Sequence, residues 1–385
     1  MSGHSDSFAR DFGAAADVAG LEMHLDRMHG GDVAAWARSA GIEAGAILDF
    51  SASINPLGPP RSGRRAFIKS YGEISRYPDA YGEKLKSALA ERHGRNAAEV
   101  LIGNGSTQLI YLLCAALRPR KALIVSPAFS EYANALALGG ASVHQFTLSA
   151  ADGFKFSTRQ FMTAWDKDCD IAFFATPNGA TGQLIPKTAI ATIARVALTR
   201  KTFVVIDEAF IDFVEVESVK MLVRENPYVI VLRSLTKYFA LPGLRLGYLL
   251  GETRRVAQLA AYQEPWSVNA PAMSVALACL KDARFSAKTD RWLAEERSFV
   301  SAGLAAIEGL RPFASRANFL LVKIDRKGID ALQLRSFLSR KKILIRACTS
   351  FAGLGVDYFR VAVKRRKDNR RLLAALKEWS DSSIE

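Results

Sequence analysis

Cysteine, histidine, acidic charge and long apolar runs are all scarce in this sequence, and each scarcity narrows what the chain does. Only four cysteines occur (Cys114, Cys169, Cys279, Cys348), widely spaced, without a Cys-x-x-Cys pair or adjacent histidines. That pattern excludes a disulfide framework and a thiolate metal cluster, so reduced, buried thiols and no metal site are expected. No run approaches the roughly 18 apolar residues of a membrane span. The first twenty residues, MSGHSDSFARDFGAAADVAG, lack a basic stretch followed by an apolar core, so a cytoplasmic location without a membrane partner is expected. Acid is outnumbered, with 38 Asp and Glu against 52 Lys and Arg, for a net charge of +14. The bases are dispersed except for VKRRKDNRR at 363–371, which precedes the apolar-periodic LLAALKEW and reads as the solvated start of a helix. No nucleic-acid partner is therefore expected, although general basicity favours a phosphorylated small molecule.

What is present is a globular chain. Its 385 residues, 49% of them apolar, suffice for two domains with full cores. From about residue 84 to 251, strand-like runs (KALIVS, DIAFFAT, TFVVIDEA, YVIVLRS) alternate with helical ones (KLKSALAERHG, TQLIYLLCAALR, EYANALALGG, KTAIATIARVAL). Such alternation predicts an α/β fold with a mainly parallel sheet, helices on both faces and ligands at the carboxyl ends of the strands. Beyond EPWSVNAPAMSVALACL a long charged helical pattern precedes NFLLVKI, KKILIRAC and YFRVAVK, three runs consistent with a smaller α+β domain. The expected division is an irregular amino-terminal segment, 1–60, packing on the small domain and active site, a large domain, 61–262, and a small domain, 263–385. The first segment holds HGGD at His29 to Asp32 and DFSASINPLGPP at Asp49 to Pro60.

The chemistry concentrates at strand ends. In SLTKYFALPGLRLGYLLG, Lys237 lies between two runs apolar enough to be buried strands, where an ammonium is costly unless paired or converted to an imine. In TFVVIDEAFIDF an apolar strand runs into Asp207, a carboxylate able to keep a pyridine nitrogen protonated, or simply to cap a helix. In LIGNGSTQLIYLLC, Gly105, Ser106 and Thr107 open a helix after a strand, which makes an anion cradle by mechanism, though not the nucleotide P-loop. Ser234, Thr236 and Arg245 can complete it with hydroxyls and a guanidinium fork. Phe129, in SPAFSEY, can stack on a planar heterocycle; alternatively it and Tyr132 are core.

In this order, on these strand ends, the features resemble the fold-type I family of pyridoxal-phosphate enzymes, which includes the aspartate aminotransferases. The resemblance runs from about residue 29 to 365, and Ser-x-x-Lys with an arginine eight positions beyond the lysine is its specific element. It implies a large domain with a mainly parallel seven-stranded sheet, a small α+β domain and pyridoxal 5′-phosphate as cofactor. It implies that Lys237 forms the imine with the cofactor aldehyde, Asp207 pairs with the pyridinium and Phe129 stacks on the ring. Ser106, Thr107, Ser234 and Arg245 hold the phosphate by the same resemblance, and Gly105 and Thr236 are expected beside them in the cofactor site. Tyr77, in SRYPDAYG, matches the position that reaches the neighbouring subunit's cofactor phosphate, which implies a homodimer. Arg360, in YFRVAVK, matches the arginine that grips a substrate α-carboxylate.

The sequence departs from the family pattern in TPNGATGQL, where Asn-Pro-Thr-Gly is usual. Gly179 thus occupies the position expected to bond the cofactor's ring oxygen, and Phe210 stands where many members have a tyrosine. The expectation is that Asn178 fills the role from one residue away; otherwise the oxygen is under-bonded. Within fold-type I, HGGDVAAWARSAGI, DFSASINPLGPP and VLRSLTKYFALPGLRLGY are similar to the threonine-phosphate decarboxylases of cobalamin biosynthesis, relatives of the histidinol-phosphate aminotransferases. That similarity implies conversion of L-threonine O-3-phosphate to (R)-1-amino-2-propanol O-2-phosphate and carbon dioxide. His29, the Gly30 and Gly31 backbone, Asn55 and Arg346 are then candidates for binding the substrate, with core packing or an ion pair open for Arg346 and a turn role for His29. The alternatives are a histidinol-phosphate-type aminotransferase, a phosphoserine decarboxylase, or a non-catalytic binding protein on the same scaffold. Gly179 and Phe210 motivate the last, and the joint presence of Lys237, Asp207, Arg245 and Arg360 opposes it.

Overall fold

The computed structural model describes residues 30–382. Its centre is a seven-stranded sheet made of β2 (Val100–Gly103), β3 (Lys121–Ser126), β4 (Ser142–Thr147), β5 (Ile171–Ala175), β6 (Phe203–Asp207), β7 (Val229–Ser234) and β8 (Gly247–Leu250), in the order β2-β8-β7-β6-β5-β3-β4. Only β8 runs against its neighbours. The central strands are apolar on both faces because helices cover both, giving two large cores, one on each side. Five segments that leave the carboxyl ends of β2, β3, β5, β6 and β7 therefore converge on one rim.

The smaller sheet is antiparallel, in the order β12-β13-β10-β9, with β9 (Leu310–Pro312), β10 (Phe319–Ile324), β12 (Arg346–Ala347) and β13 (Tyr358–Ala362). The helices Ala283–Ala305, Ala331–Arg340 and Arg366–Ser382 accompany it. The last of these is the helix expected after the basic run.

One expected strand divides. KKILIRAC yields two short strands, β11 (Ile343–Leu344) and β12, in different sheets. The reason lies in the amino-terminal segment: β1 (Leu48–Asp49) pairs in parallel with β11, while Arg346 turns to pair with Arg360 on β13. From β1 the chain buries Phe50 in the small core and receives bonds from Ala362 N and the Asn318 amide. It ends at Asn55, whose N–H donates to the carbonyl of Lys237 at 3.1 Å. The segment thus ties the small sheet to the lysine loop. Among the described residues no helix is long and apolar enough to cross a membrane, and no group of three or more His, Cys, Asp or Glu could hold a metal ion.

Candidate active site

A cavity of about 570 Å³ opens where the strand ends meet the small sheet. Lys237 lines it, with Nζ 3.1 Å from the Ser234 hydroxyl. Burial lowers this lysine from its ordinary 10.5 to about 8; Asp207 opposes that shift, and Arg245 and Arg360 add to it. Asp207 closes the far side. Its Oδ1 accepts from Ala209 N at 2.8 Å, and its Oδ2 accepts from the Tyr132 hydroxyl at 2.6 Å. Burial pushes this carboxyl up, against the opposing pull of Tyr132, Lys237 and the Ala209 N–H. A desolvated carboxylate in this setting calls for a cationic N–H partner.

The opposite end is built for an anion. The helix Gly105–Leu117 starts at the rim without a side-chain cap, leaving first-turn N–H groups beside Ser106 and Thr107, both of which line the cavity. Two glycines let the parts approach. A Cβ on Gly105, whose φ is +80°, would lie 2.9 Å from Arg245 Nη2, and one on Gly247 would lie 2.4 Å from Ser106 N. Arg245 and Thr236 complete this wall, and the Thr236 and Ser234 hydroxyls are 2.8 Å apart. Phe129 lines the side of the cavity and meets Tyr132 edge-on at 5.9 Å.

The small sheet supplies two guanidiniums. Arg346 and Arg360 are direct partners in the β12–β13 ladder, and both line the cavity. Arg346 donates to the Ser350 hydroxyl at 2.7 Å. Arg360 donates to the Gly179 carbonyl and lies 4.5 Å over the Phe319 ring, while its buried Nε has no partner. Burial lowers Arg360 to about 10, and Arg346 contributes in the same direction.

The structure therefore brings together Lys237, Asp207, Ser106, Thr107, Phe129, Phe210, Thr236, Arg245, Arg346, Arg360 and Gly30 around one cavity, with Gly105 and Ser234 immediately behind the wall. Other expected residues stand elsewhere. Asn178 does not take up the ring-oxygen role from its own position: its amide donates to the Pro127 carbonyl and its oxygen accepts from Ala180 N and Thr181 N, so it shapes the loop, and Gly179 faces the cavity. Asn55 is likewise used internally. It donates to the Tyr238 carbonyl and the Thr289 hydroxyl, accepts from Leu57 N and does not line the cavity. Gly31 donates to the Ser51 hydroxyl, behind Gly30. Tyr77 is 82% exposed and stacks on Trp266, outside the cavity. His29 lies outside the described residues. Sequence reasoning missed Tyr132 as a site residue, reading it as core; its helical position three residues after Phe129 gives no hint of Asp207 until the fold brings them together. Glu131, Phe351 and the stretch Ser51 to Ile54 also line the cavity and went unnoticed.

The family described as aminotransferase class I and II matches residues 46–376. Threonine-phosphate decarboxylase from Salmonella typhimurium is 41% identical over 91% of this chain and 95% of its own length. The crystal structure of histidinol-phosphate aminotransferase from Clostridium acetobutylicum superposes with a TM-score of 0.82, at 29% identity, over 87% of this chain and 100% of that one. That of histidinol-phosphate aminotransferase from Sinorhizobium meliloti, in complex with pyridoxal-5′-phosphate, has a TM-score of 0.83 at 21% identity, covering 96% of this chain and 99% of that one.

Proposed function

Because this chain belongs to the aminotransferase class I and II family, we propose that it is a pyridoxal-phosphate-dependent carboxy-lyase, converting L-threonine O-3-phosphate to (R)-1-amino-2-propanol O-2-phosphate and carbon dioxide for cobalamin biosynthesis. The observation that carries this reading is the side-by-side placement of Arg346 and Arg360 in the cavity that holds Lys237. A substrate with both an α-carboxylate and a phosphate gives each guanidinium an anion at once. The 41% identity to a threonine-phosphate decarboxylase supports the same reading.

The residues present fit the cofactor. The cradle of Ser106, Thr107, Ser234, Thr236 and Arg245 suits its phosphate, the desolvated Asp207 suits a protonated ring nitrogen, and Phe129 suits the ring face. Bound there, pyridoxal phosphate supplies a protonated ring that takes up electron density as a bond to the substrate α-carbon breaks. Asp207 holds the proton on that ring nitrogen, and Tyr132 holds Asp207. Lys237, lowered to about 8, is a free amine in a useful fraction near neutral pH and can carry a proton on Nζ to the substrate. Arg360 grips the carboxylate and Arg346 the phosphate. With both ends held, rotation of the substrate is fixed, and that orientation decides which bond at the α-carbon breaks.

Tyr77 belongs to this reading through a second copy of the chain. Ile68, Tyr71, Tyr77 and Tyr81, within one short stretch of chain, are each more than half exposed, and Tyr77 packs against Trp266; these exposed apolar side chains suit a homodimer in which Tyr77 reaches the neighbouring phosphate cradle. Residues 61–262 then form the cofactor domain, joined by the helix Ala270–Leu280 that packs in its core, the rest of 263–382 forms the small domain, and 30–60 is the segment between them, in a cytoplasmic enzyme.

The likeness to histidinol-phosphate aminotransferases favours amino transfer as the second reading. Purified, cofactor-loaded protein incubated with L-threonine O-3-phosphate and no keto acid separates the two. Repeated release of carbon dioxide and amine phosphate is expected. No carbon dioxide, together with amino transfer from histidinol phosphate to 2-oxoglutarate, would establish the aminotransferase instead.

A further inference from the structure

Behind the cavity wall, on the far face of the sheet, lies a second concentration of charge. Arg233 is fully buried on β7, one residue before Ser234, and strand alternation turns the two side chains to opposite faces. Glu208, equally buried, follows Asp207 at the end of β6. The Arg233 guanidinium donates to Glu208 Oε2 at 2.7 Å and to Asp212 Oδ1 at 3.0 Å, and it also reaches Glu215. Glu208 accepts in turn from Ser218 Oγ and Val219 N, both at 2.7 Å, which pins the 3-10 stretch Ile211–Glu217 that follows Phe210. Around this core Lys220 bonds Glu215 and His93, and His93 Nε2 is 2.7 Å from the Tyr248 hydroxyl.

Such a cluster is a poor source of stability, since well-packed apolar residues of the same volume often serve as well or better. It supplies direction. Arg233 contacts the chain beside each of three pieces of the cavity wall: Glu208 adjoins Asp207, Asp212 lies two residues beyond Phe210, and Arg233 itself adjoins Ser234, which holds the Lys237 amine. We propose that Arg233, acting through Glu208 and Asp212, is a positioning residue that sets the separation of Asp207 from Ser234 and Lys237 from the opposite face of the sheet.

The test uses full-length protein without cofactor or substrate, so a failed decarboxylase assay does not touch it. The pH midpoint for acylation of Lys237 by acetic anhydride is read by peptide mass spectrometry, alongside far-ultraviolet circular dichroism and urea unfolding. The charged groups facing that amine are Asp207, Arg245 and Arg360, none of which is changed. Three variants are compared with wild type: Glu208→Gln, which keeps an acceptor, Arg233→Lys, and the triple Arg233→Met, Glu208→Gln, Asp212→Asn, which removes these three buried charges together. A slackened wall admits water and relieves the burial that lowers Lys237, so the midpoint should rise by about one pH unit in the folded variants. Arg233→Lys, which keeps the charge without the fork, should show the same rise. A purely structural role would lower the urea midpoint and leave the lysine where it is. An unmoved lysine midpoint in both folded Glu208→Gln and folded Arg233→Lys overturns the proposal, and these single variants decide if the triple does not fold.

Discussion

Arg346 and Arg360 face each other across the β12–β13 ladder, and both guanidiniums lie against Phe351, at 5.5 and 5.9 Å from its ring centre. Like charges placed directly opposite on a sheet repel. An anion on each side chain would relieve that repulsion, and the carboxylate and phosphate of the proposed substrate would supply the two.

Arg346→Ala should therefore raise KM for L-threonine O-3-phosphate by about 10- to 100-fold, the worth of one charge-assisted hydrogen bond or a little more. Turnover of unphosphorylated threonine should hardly change. Steady-state kinetics on both substrates checks this, and an equal loss on the two would remove Arg346 from the phosphate role. Arg360→Ala should weaken both substrates alike, because both carry the α-carboxylate.

Tyr132→Phe removes the hydroxyl that donates to Asp207 at 2.6 Å and leaves the ring stacked on Phe173. That hydrogen bond opposes the rise that burial imposes on Asp207, so its loss moves the carboxyl further up and weakens its hold on a cationic ring nitrogen. Cofactor affinity, measured by absorbance titration of cofactor-free protein, should fall about 5- to 10-fold, as expected for roughly 1 kcal/mol. Unchanged affinity would show that Tyr132 is only packing.

These two cases mark what could be read from the sequence. Asp207, Ser106 and Thr107 were legible because each sits at a strand end or helix start, and Lys237 and Arg245 because of their eight-residue spacing between two apolar strands. Arg346 and Arg360 were found separately, but not their pairing, because KKILIRAC looks like one strand. Its division depends on Leu48 pairing with Ile343, a contact spanning most of the chain. Asn55 and Asn178 were misplaced for a related reason: an asparagine in an irregular segment looks free until the backbone groups that claim its amide are known. Arg233 gave no signal at all, since its four partners all lie between Glu208 and Ser218, on the chain that leaves β6, and only the pairing of β6 with β7 brings that stretch to it.

The exposed apolar patch makes a prediction about assembly. Ile68, Tyr71 and Tyr77 are 64%, 74% and 82% exposed, and Trp266 stacks on Tyr77 at 4.8 Å. A charge placed there, as in Tyr71→Glu, should convert a dimer to a monomer by light scattering, and cofactor affinity should fall with dissociation because Tyr77 no longer reaches a partner. Tyr77→Phe should keep the dimer and lose affinity modestly. A wild-type protein that is monomeric at micromolar concentration would contradict the shared site.

The cluster behind the sheet makes stability depend on pH through His93. Burial, with Arg233 and Lys220, lowers this imidazole from its ordinary 6.5 to about 3, against an opposing effect of Glu215. Between those values the unfolded chain binds a proton that the folded chain refuses. Stability linked to His93 is therefore complete above about pH 6.5 and is lost as pH falls toward 3, at up to roughly 1.4 kcal/mol per pH unit. His93→Gln removes the titration while keeping an amide for the Tyr248 hydroxyl. Urea unfolding at pH 7 and pH 5 should show wild type losing about 2 kcal/mol more than the variant over that interval, with the carboxylates common to both cancelling in the difference. Parallel losses would mean that His93 takes up its proton in the folded state, and that the charges around it are arranged to hold an imidazolium.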